Sequence, residues 1–409
     1  MRTLALIVLS LASISASAQV HLGGGGGYPR LVQLNDKSWL LGYDNGKIQV
    51  KKSLDKGKTW TNPVLASFHD DAICANVDFF QLPDNRVLCA YRTIGKHDKN
   101  PLLRGIFCSI SEDNGASWKP YNTIVSNTEP GYDATAVKHA LSQGYNVGFY
   151  EPFMGIIDGK ITVMYADDFS PMIENVHGNP SLNYKCQQIV SKQLVGDKWI
   201  NPTIVMDGAT RKSVGGNERL SRDGMPVFAT RSDGTAFLVF EGTYRDNPST
   251  GNIRFEILIA SSKDGKTWSS PKELFVPSGT GTKASAPFIC IDGNDNAYIS
   301  FQTDEDAFLH SKQTGDKASF FKCLFAGNIP TPIPDNIKDL VSPAQNPFNL
   351  KPGEVALWNC LADLDNEIFC LAAIHHLGFQ LLKFPVPQNR DSCRSIPLSI
   401  ENLSIQDKV

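Results

Sequence analysis

A turn of eight residues that recurs along the chain limits the possible folds more than any other feature. Ser53 to Trp60 and Ser111 to Trp118 share the pattern Ser-x-Asp-x-Gly-x-(Thr/Ser)-Trp. Ser261 to Trp268 is a third copy with its Asp displaced by one position, and Gly196 to Trp199 resembles an incomplete fourth copy. In such a turn the Asp accepts backbone N–H bonds, the Gly adopts a positive φ and the Trp packs against neighbouring strands. The recurrence predicts repeated antiparallel sheets that fit the blades of a β-propeller.

The chemistry of this turn is local, so we assign it a structural and not a catalytic role. The residues given this structural role are Asp55, Gly57, Trp60, Asp113, Gly115, Trp118, Asp264, Gly265 and Trp268.

Short apolar runs separated by Gly, Asn, Asp and Pro fill the remainder of the chain. No segment after the N-terminal one shows a convincing 3.6-residue periodicity, which is an all-β pattern. Counting the strands in groups of three gives six blades. We place them near residues 28–66, 75–125, 147–206, 225–276, 285–325 and 353–386, with the terminal segments closing the ring. The sequence therefore predicts one six-bladed β-propeller spanning residues 19–409.

The N-terminal segment, residues 1–18, has the pattern of a secretory signal peptide. Arg2 supplies a positive region, Leu4 to Ile14 an apolar region, and Ala16 to Ala18 the small residues of a cleavage site. The apolar run is too short for a transmembrane helix. We therefore expect a secreted, extracellular protein.

Charge and cysteine content limit the partners that we expect. The formal net charge of −3 disfavours nucleic acid and anionic membrane surfaces, and we expect a monomer. Export would make the nine cysteines potential disulfide partners, although Cys89, Cys290 and Cys370 lie inside apolar strands, where a small buried residue is the simpler interpretation. There is no CxxC pair and no metal-ligand or Ser/His/Asp signature, so we expect no metal and no cofactor.

Propeller geometry brings particular strand ends to one face. Successive strands of a blade alternate in direction, so the start of each first strand and the end of each second strand meet there. The predicted substrate-binding residues at these positions are Arg30, Asn76, Arg92, Asp167, Gln302, Trp358 and His375. The alternative for any single member is an ordinary solvated strand end.

Two glutamates at these positions are the candidate catalytic residues. Glu151 and Glu241 each follow an aromatic residue and precede a Pro or Gly, which places a carboxyl group beside apolar walls. Partial desolvation keeps such an acid protonated near neutral pH. A pair of carboxyl groups flanking a sugar linkage is the usual apparatus of glycoside hydrolysis. The alternative is that Glu151 pairs with a neighbouring arginine for structure alone.

Several longer strings resemble a known family. The recurring eight-residue turns, which we call Asp boxes, and the string YPRL around Arg30 resemble those of the sialidase superfamily of six-bladed propellers. YPRLVQL, QLPDNRVLCAYR, YEPFMG with KITVMYADD, MPVFATRSDG with FEGT, and FQTDED resemble its secreted exo-α-1,5-L-arabinanases. They cover most of residues 28–306, and the resemblance weakens beyond that.

The resemblance implies release of short arabinooligosaccharides from an arabinan chain end, with retention of configuration and two glutamates at the positions of Glu151 and Glu241. We expect Glu241 as nucleophile and Glu151 as acid/base, without excluding the reverse. Two alternatives stay open: a sialidase, although no tyrosine follows Tyr298 to act as its late nucleophile, and a non-catalytic carbohydrate-binding propeller.

Overall fold

Six antiparallel sheets make up the computed structural model, which describes residues 19–22, 25–129, 134–171, 186–208, 221–242, 255–279, 281–315, 318–351 and 353–386. The predicted signal peptide and Cys393 lie outside these described residues. The sheets confirm the predicted all-β, six-bladed propeller, and each blade falls within a few residues of its predicted position.

Blades 1 to 3 each contain four strands, numbered outward from the axis. After a short β1 (Val20–His21), blade 1 comprises β2 (Gly27–Gln33), β3 (Trp39–Asp44), β4 (Ile48–Ser53) and β5 (Val64–Leu65). Blade 2 comprises β6 (Ala72–Gln81), β7 (Val87–Gly95), β8 (Arg104–Ser111) and β9 (Lys119–Ser126). Blade 3 comprises β10 (Phe149–Ile157), β11 (Lys160–Asp167), β12 (Gln188–Val195) and β13 (Lys198–Met206).

Blades 4 to 6 complete the ring. Blade 4 comprises β14 (Gly224–Thr230), β15 (Ala236–Gly242), β16 (Glu256–Ser262) and β17 (Lys272–Phe275). Blade 5 comprises β18 (Ala284–Ile291), β19 (Ala297–Thr303) and β20 (Phe320–Gly327). Blade 6 comprises β21 (Ala356–Leu364), β22 (Glu367–Ile374), β23 (Gly378–Lys383) and the N-terminal β1.

The N-terminal strand closes the ring. β1 pairs antiparallel with β23, with Val20 opposite Leu381 and His21 opposite Gln380. Blade 6 is thus built from both ends of the described chain, as predicted. The same closure brings the glycines at 25–27 beside blade 6, where they line a cleft.

The Asp-box turns join the third strand of a blade to the fourth, and hydrogen bonds within each turn stabilise this connection. In the first copy, the Gly57 N–H donates to the Ser53 hydroxyl at 2.8 Å, and the Trp60 indole donates to the Gly57 carbonyl at 3.1 Å. In the third copy the accepting hydroxyl belongs to Ser262, which corresponds to Ser53 in the first copy. This turn therefore begins one residue later than predicted and is one residue shorter, and its Asp is not displaced.

Three short helices among the described residues depart from the expected all-strand pattern: α1 (Ala134–Ser142), α2 (Glu305–Ser311) and α3 (Ile337–Leu340). They contain nine, seven and four residues, too few for a helical period to stand out in the sequence. No helix in the described ranges is long and apolar enough to cross a membrane.

The described cysteines form no disulfide. Eight of them are free, and all but Cys290 are buried. This agrees with the interpretation of Cys89 and Cys370 as small core residues and gives no support, within the described residues, to the expected disulfides.

Candidate active site

A β-bulge near the start of every first strand builds one mouth of the propeller. At each bulge one residue has a φ between 50° and 57°, and the register with the second strand shifts. Such bulges re-aim side chains and are frequent beside active sites. We call these six residues the bulge ring: Tyr28, Asn76, Glu151, Met225, Ala286 and Trp358.

Backbone amides of the bulge ring are held by acceptors from the preceding blade. The Asn76 N–H donates to the Asp44 carboxylate at 3.1 Å, and the Trp358 N–H donates to the Gln302 side-chain oxygen at 3.0 Å. The Ala286 N–H donates to Glu241 Oε2 at 2.9 Å. These bonds join successive blades at the mouth, and one of the acceptors is a predicted catalytic glutamate.

Blade 3 differs in the residue that could supply such an acceptor. In blade 4, Glu241 pairs with Gly224, the residue before the bulge; in blade 3 the corresponding residue, paired with Tyr150, is Ala166. Alanine has no side-chain acceptor, and the backbone N–H of Met225 bonds instead to Glu151. Glu241 Oε1 lies 3.6 Å from the point where a Cβ on the adjacent Gly224 would stand. The two predicted catalytic glutamates therefore flank the same stretch of backbone.

Burial raises the pKa of both glutamates. For Glu241 the charge of Glu151 adds to the effect of burial, and the pKa rises to about 7. For Glu151 the charges of Arg92 and Arg222 oppose the rise that burial causes. Glu241 is therefore held protonated to higher pH than an ordinary glutamate, whereas the arginines favour the ionised form of Glu151.

Arg222 is a site residue that the sequence analysis missed. It lies three positions before Met225 and forms an ion pair with the buried Asp168, with Nη2 3.4 Å from Oδ2. Its charge lowers the pKa of both Glu151 and Glu241. Burial raises the pKa of Asp168 to about 7, against the effect of Arg222. The ion pair with Asp168 thus holds Arg222 close enough to act on both predicted catalytic glutamates.

Two predicted substrate-binding residues have polar atoms without a partner among the described residues. Asn76 is only 5% exposed, yet its Oδ1 accepts no hydrogen bond. Arg92 leaves its Nε unpaired and lies over the Tyr150 ring, with its guanidinium carbon 5.1 Å from the centroid. Buried polar groups normally find partners, so these atoms mark a place where a ligand group can bind.

Three other predicted binding residues are occupied within the fold. The carboxylate of Asp167 is buried and accepts from the Phe169 and Ser170 backbone, so the neighbouring Asp168 serves the site instead. Arg30 donates to the carbonyls of Pro29 and Asn359. Gln302 holds the Trp358 amide.

Arg30 lines the channel along the propeller axis below the mouth. This channel has a volume of about 400 Å³ and is lined by all six first strands. The guanidinium carbon of Arg30 lies 4.0 Å from the centroid of the Tyr28 ring, which separates it from the mouth. In the same channel the buried Asp78 accepts from the Met154 N–H at 2.7 Å, and burial raises its pKa to about 7.

Trp358 and His375 line a cleft of about 770 Å³ at the junction of blade 6 and the glycines at 25–27. His376 lines it as well, with its ring centroid 3.7 Å from that of His375. Both histidines can face the cleft, because β22 ends at Ile374 and the two residues follow it in a turn instead of alternating along a strand.

Apolar members of the bulge ring form a platform beside the two glutamates. Tyr28, Met225 and Ala286 pack together with Trp358, and the Tyr28 and Trp358 rings lie 5.7 Å apart. A mouth with two carboxyl groups, an unpaired donor, an unpaired acceptor and an aromatic platform suits a sugar. Within the described residues no three His, Cys, Asp or Glu side chains group as a metal site requires.

A repeated dipeptide could have located the bulge ring. Four of its members directly precede proline: Tyr28, Glu151, Met225 and Ala286. Proline has no backbone N–H, so within sheets it is confined to edges, strand starts and bulges. Its recurrence at the start of first strands is a sequence signal for these bulges. That signal would have selected Tyr28 instead of Arg30 and would have added Met225.

Comparison with solved structures gives the same architecture. The fold is that of the sialidase-like six-bladed propellers. An α-L-arabinanase of Penicillium chrysogenum, complexed with arabinobiose, matches 87% of this chain and 92% of its own, with a TM-score of 0.55 and 17% identity. A GH93 α-L-arabinofuranosidase of Fusarium graminearum, also with arabinobiose, covers the same shares with a TM-score of 0.55 and 16% identity.

A sialic-acid enzyme matches equally well in shape. The intramolecular trans-sialidase of Ruminococcus gnavus covers 93% of this chain and 99% of its own, with a TM-score of 0.55 and 13% identity. No family model matches the chain, and no curated protein matches it. At these identities the likeness establishes the fold alone, and the residues of the site have to indicate the function.

Proposed function

We propose that this protein is a secreted glycoside hydrolase that cleaves arabinan from a chain end and releases short arabinooligosaccharides. The observation that carries the proposal is the pair Glu151 and Glu241, two half-buried carboxyl groups that flank Gly224 and Met225 and whose pKa values are both raised. One protonated and one ionised carboxyl group is the state that glycoside hydrolysis requires.

In the proposed retaining reaction, the ionised glutamate attacks the anomeric carbon while the other glutamate gives its proton to the departing oxygen. A covalent glycosyl-enzyme ester forms and the glycosidic bond breaks. The second glutamate, now ionised, takes a proton from water, whose oxygen displaces the ester and regenerates the carboxylate. Asn76 and Arg92 supply polar atoms for the sugar hydroxyls.

The surroundings of the two glutamates bear on which one has which role. The raised pKa of Glu241 favours it as the proton donor, with Glu151 as nucleophile. The sequence led us to expect the reverse assignment, with Glu241 as nucleophile and Glu151 as acid/base. Azide rescue of Glu151→Ala and Glu241→Ala separates the two: loss of the acid/base gives a glycosyl azide of retained configuration, and loss of the nucleophile gives an inverted one.

The choice of substrate rests on two lines of support. The cleft beside the mouth is lined by no Asp, Glu, Lys or Arg from the described residues, which suits a neutral sugar. The structurally similar Penicillium and Fusarium enzymes were each solved with arabinobiose. Secretion is proposed from residues 1–18 alone.

The proposal is tested by chromatography of the products released from linear debranched arabinan. Wild-type protein should release a short arabinooligosaccharide, and Glu151→Gln and Glu241→Gln should each reduce release by orders of magnitude while remaining folded. Glu367→Gln, on an exposed strand end of blade 6, is the matched control and should release the same product as wild type.

A sialoside is the second substrate to test, because the trans-sialidase shares the fold and three arginines act electrostatically on Glu151. Arg30, however, is committed to backbone carbonyls and Arg222 to Asp168. Release of sialic acid with no product from arabinan would replace the arabinanase proposal. Turnover of neither substrate would favour a binding propeller.

A further inference from the structure

The cleft beside the bulge ring is a second ligand-binding region. It lies between Trp358, the turn at His375 and His376, and the glycines at 25–27. Its volume of about 770 Å³ falls in the range of about 300–1,000 Å³ typical of small-molecule sites. We call it the blade 6 cleft.

The polar groups of this cleft are available to a ligand. The Trp358 indole N–H and both imidazoles make no hydrogen bond to other described residues, and the histidines are exposed. Imidazole nitrogens can donate to and accept from hydroxyl groups, and the indole can donate. Charged side chains are missing from the lining throughout the described residues. These properties fit a neutral, hydroxyl-rich ligand with one apolar face.

Glycine keeps the cleft open. A Cβ on Gly26 would stand 2.4 Å from the Asp44 carbonyl oxygen, and one on Gly27 would stand 3.6 Å from the Trp358 ring. At Gly25 a Cβ would meet nothing within 4 Å, and the residue lacks a positive φ. A side chain at position 25 would therefore enter open space without disturbing the backbone.

A series of contacts joins the cleft to the two predicted catalytic glutamates. Trp358 packs on Tyr28, Met225 and Ala286, and the Ala286 N–H is bonded to Glu241. A sugar chain with its cleaved linkage at Glu241 can thus continue across this platform into the cleft. The two regions together would contact several consecutive sugar units.

We infer that the blade 6 cleft binds the sugar units of the chain adjoining the cleaved linkage, with a pentose ring stacked on Trp358 and its hydroxyls bonded to His375 and His376. This inference rests on the proposed function for the identity of the sugar. At about 770 Å³ the cleft is large enough for a drug-sized ligand, and so for more than one pentose unit. It would make affinity depend on chain length.

The test measures binding instead of turnover. In a Glu241→Gln background, calorimetry with linear arabinooligosaccharides of increasing length should show affinity rising until the cleft is filled. Gly25→Leu places a branched apolar group in the cleft that neither stacks on a sugar nor bonds its hydroxyls. Gly25→Leu and Trp358→Ala should each weaken binding of the longer sugars by about tenfold.

A matched control lies on the opposite face of the propeller. Gly293, in the hairpin between β18 and β19, also meets nothing within 4 Å and lacks a positive φ. Gly293→Leu should bind every sugar as the parent does. Trp358→Phe, which keeps an aromatic face, should recover part of the affinity lost in Trp358→Ala, whereas a variant that merely disturbed the fold would not be rescued.

The outcomes separate this inference from the proposed function. Unchanged length dependence in Gly25→Leu and Trp358→Ala would overturn the cleft assignment, while arabinan hydrolysis by wild type would leave the catalytic proposal standing. Absence of both sugar binding and hydrolysis would overturn both. Loss of binding in the cleft variants without any hydrolysis by wild type would retain the cleft and reject the enzyme.

Discussion

Replacing Glu241 by Gln should stabilise the protein at alkaline pH while abolishing turnover. The pKa of Glu241 rises from its ordinary value of 4.5 to about 7 through burial and the charge of Glu151. The folded state therefore holds this proton more tightly than the unfolded state. Stability from this group is complete below about pH 4.5 and is lost as the pH rises through about 7.

The size of the effect follows from the pKa change. At about 1.4 kcal/mol per pH unit, the rise from 4.5 to about 7 corresponds to about 3 kcal/mol of lost stability above neutral pH. Solvent reaches part of the side chain, so we expect about 2 kcal/mol in practice. Glutamine stays uncharged at every pH and its oxygen can still accept from the Ala286 N–H.

Urea denaturation at about pH 5 and about pH 8 measures this difference. The free energy of unfolding of Glu241→Gln should match wild type closely at the lower pH and exceed it by about 2 kcal/mol at the higher. Glu367→Gln, an exposed position, should stay within about 0.5 kcal/mol of wild type at both. An equal loss of stability at both pH values in Glu241→Gln would refute the reasoning, because Glu241 would then act as a structural acceptor and not as a strained acid.

Two further predictions concern residues around the site and far from it. Ser111→Ala removes the hydroxyl that accepts from the Gly115 N–H at 2.7 Å. The free energy of unfolding from chemical denaturation should fall by about 1–2 kcal/mol, with turnover unchanged. A fall in turnover at full stability would contradict a purely structural Asp box. Asp168→Asn removes the countercharge of Arg222, so we expect kcat to fall about tenfold and the pH–rate profile to move to lower pH, since a negative neighbour of Glu151 is lost. Asp233→Asn, in an exposed Asp–Arg pair with Arg231, is its control, and identical profiles for both variants would exclude a positioning role.

The sequence was sufficient for the blades and their order because each blade carries its own local signals. Apolar runs indicated the strands and the repeated turns indicated the units, so the strand pattern alone placed Glu151 and Glu241 at one mouth. Neighbouring strands run in opposite directions in every antiparallel sheet, so the sequence order of the strands already indicated which strand ends lie at the same mouth.

What the sequence could not supply was register. A bulge changes which neighbouring side chain faces the axis, and it depends on contacts with the next blade. Asp167 and Asp168 are adjacent acids at one strand end, and only the fold decides that the first caps its own turn while the second holds Arg222. Arg222 itself forms only an isolated bridge with Gln187 before β14, so no strand pattern in the sequence draws attention to it.

The bulge ring places backbone strain at the mouth that holds the predicted catalytic glutamates. A non-glycine residue at a φ near 50° costs about 1 kcal/mol, and the bulge ring contains six such residues around one axis. Glycine at these six positions would relieve the strain, but it would also remove their side chains from the mouth. Glu241 joins blades 4 and 5 through the Ala286 amide, and it is also one of the two proposed catalytic residues. Because the same bonds fix both the ring and the carboxyl groups, closure of the propeller would position the proposed catalytic pair in advance of substrate, and the six sheets stabilise a mouth that would be unfavourable by itself.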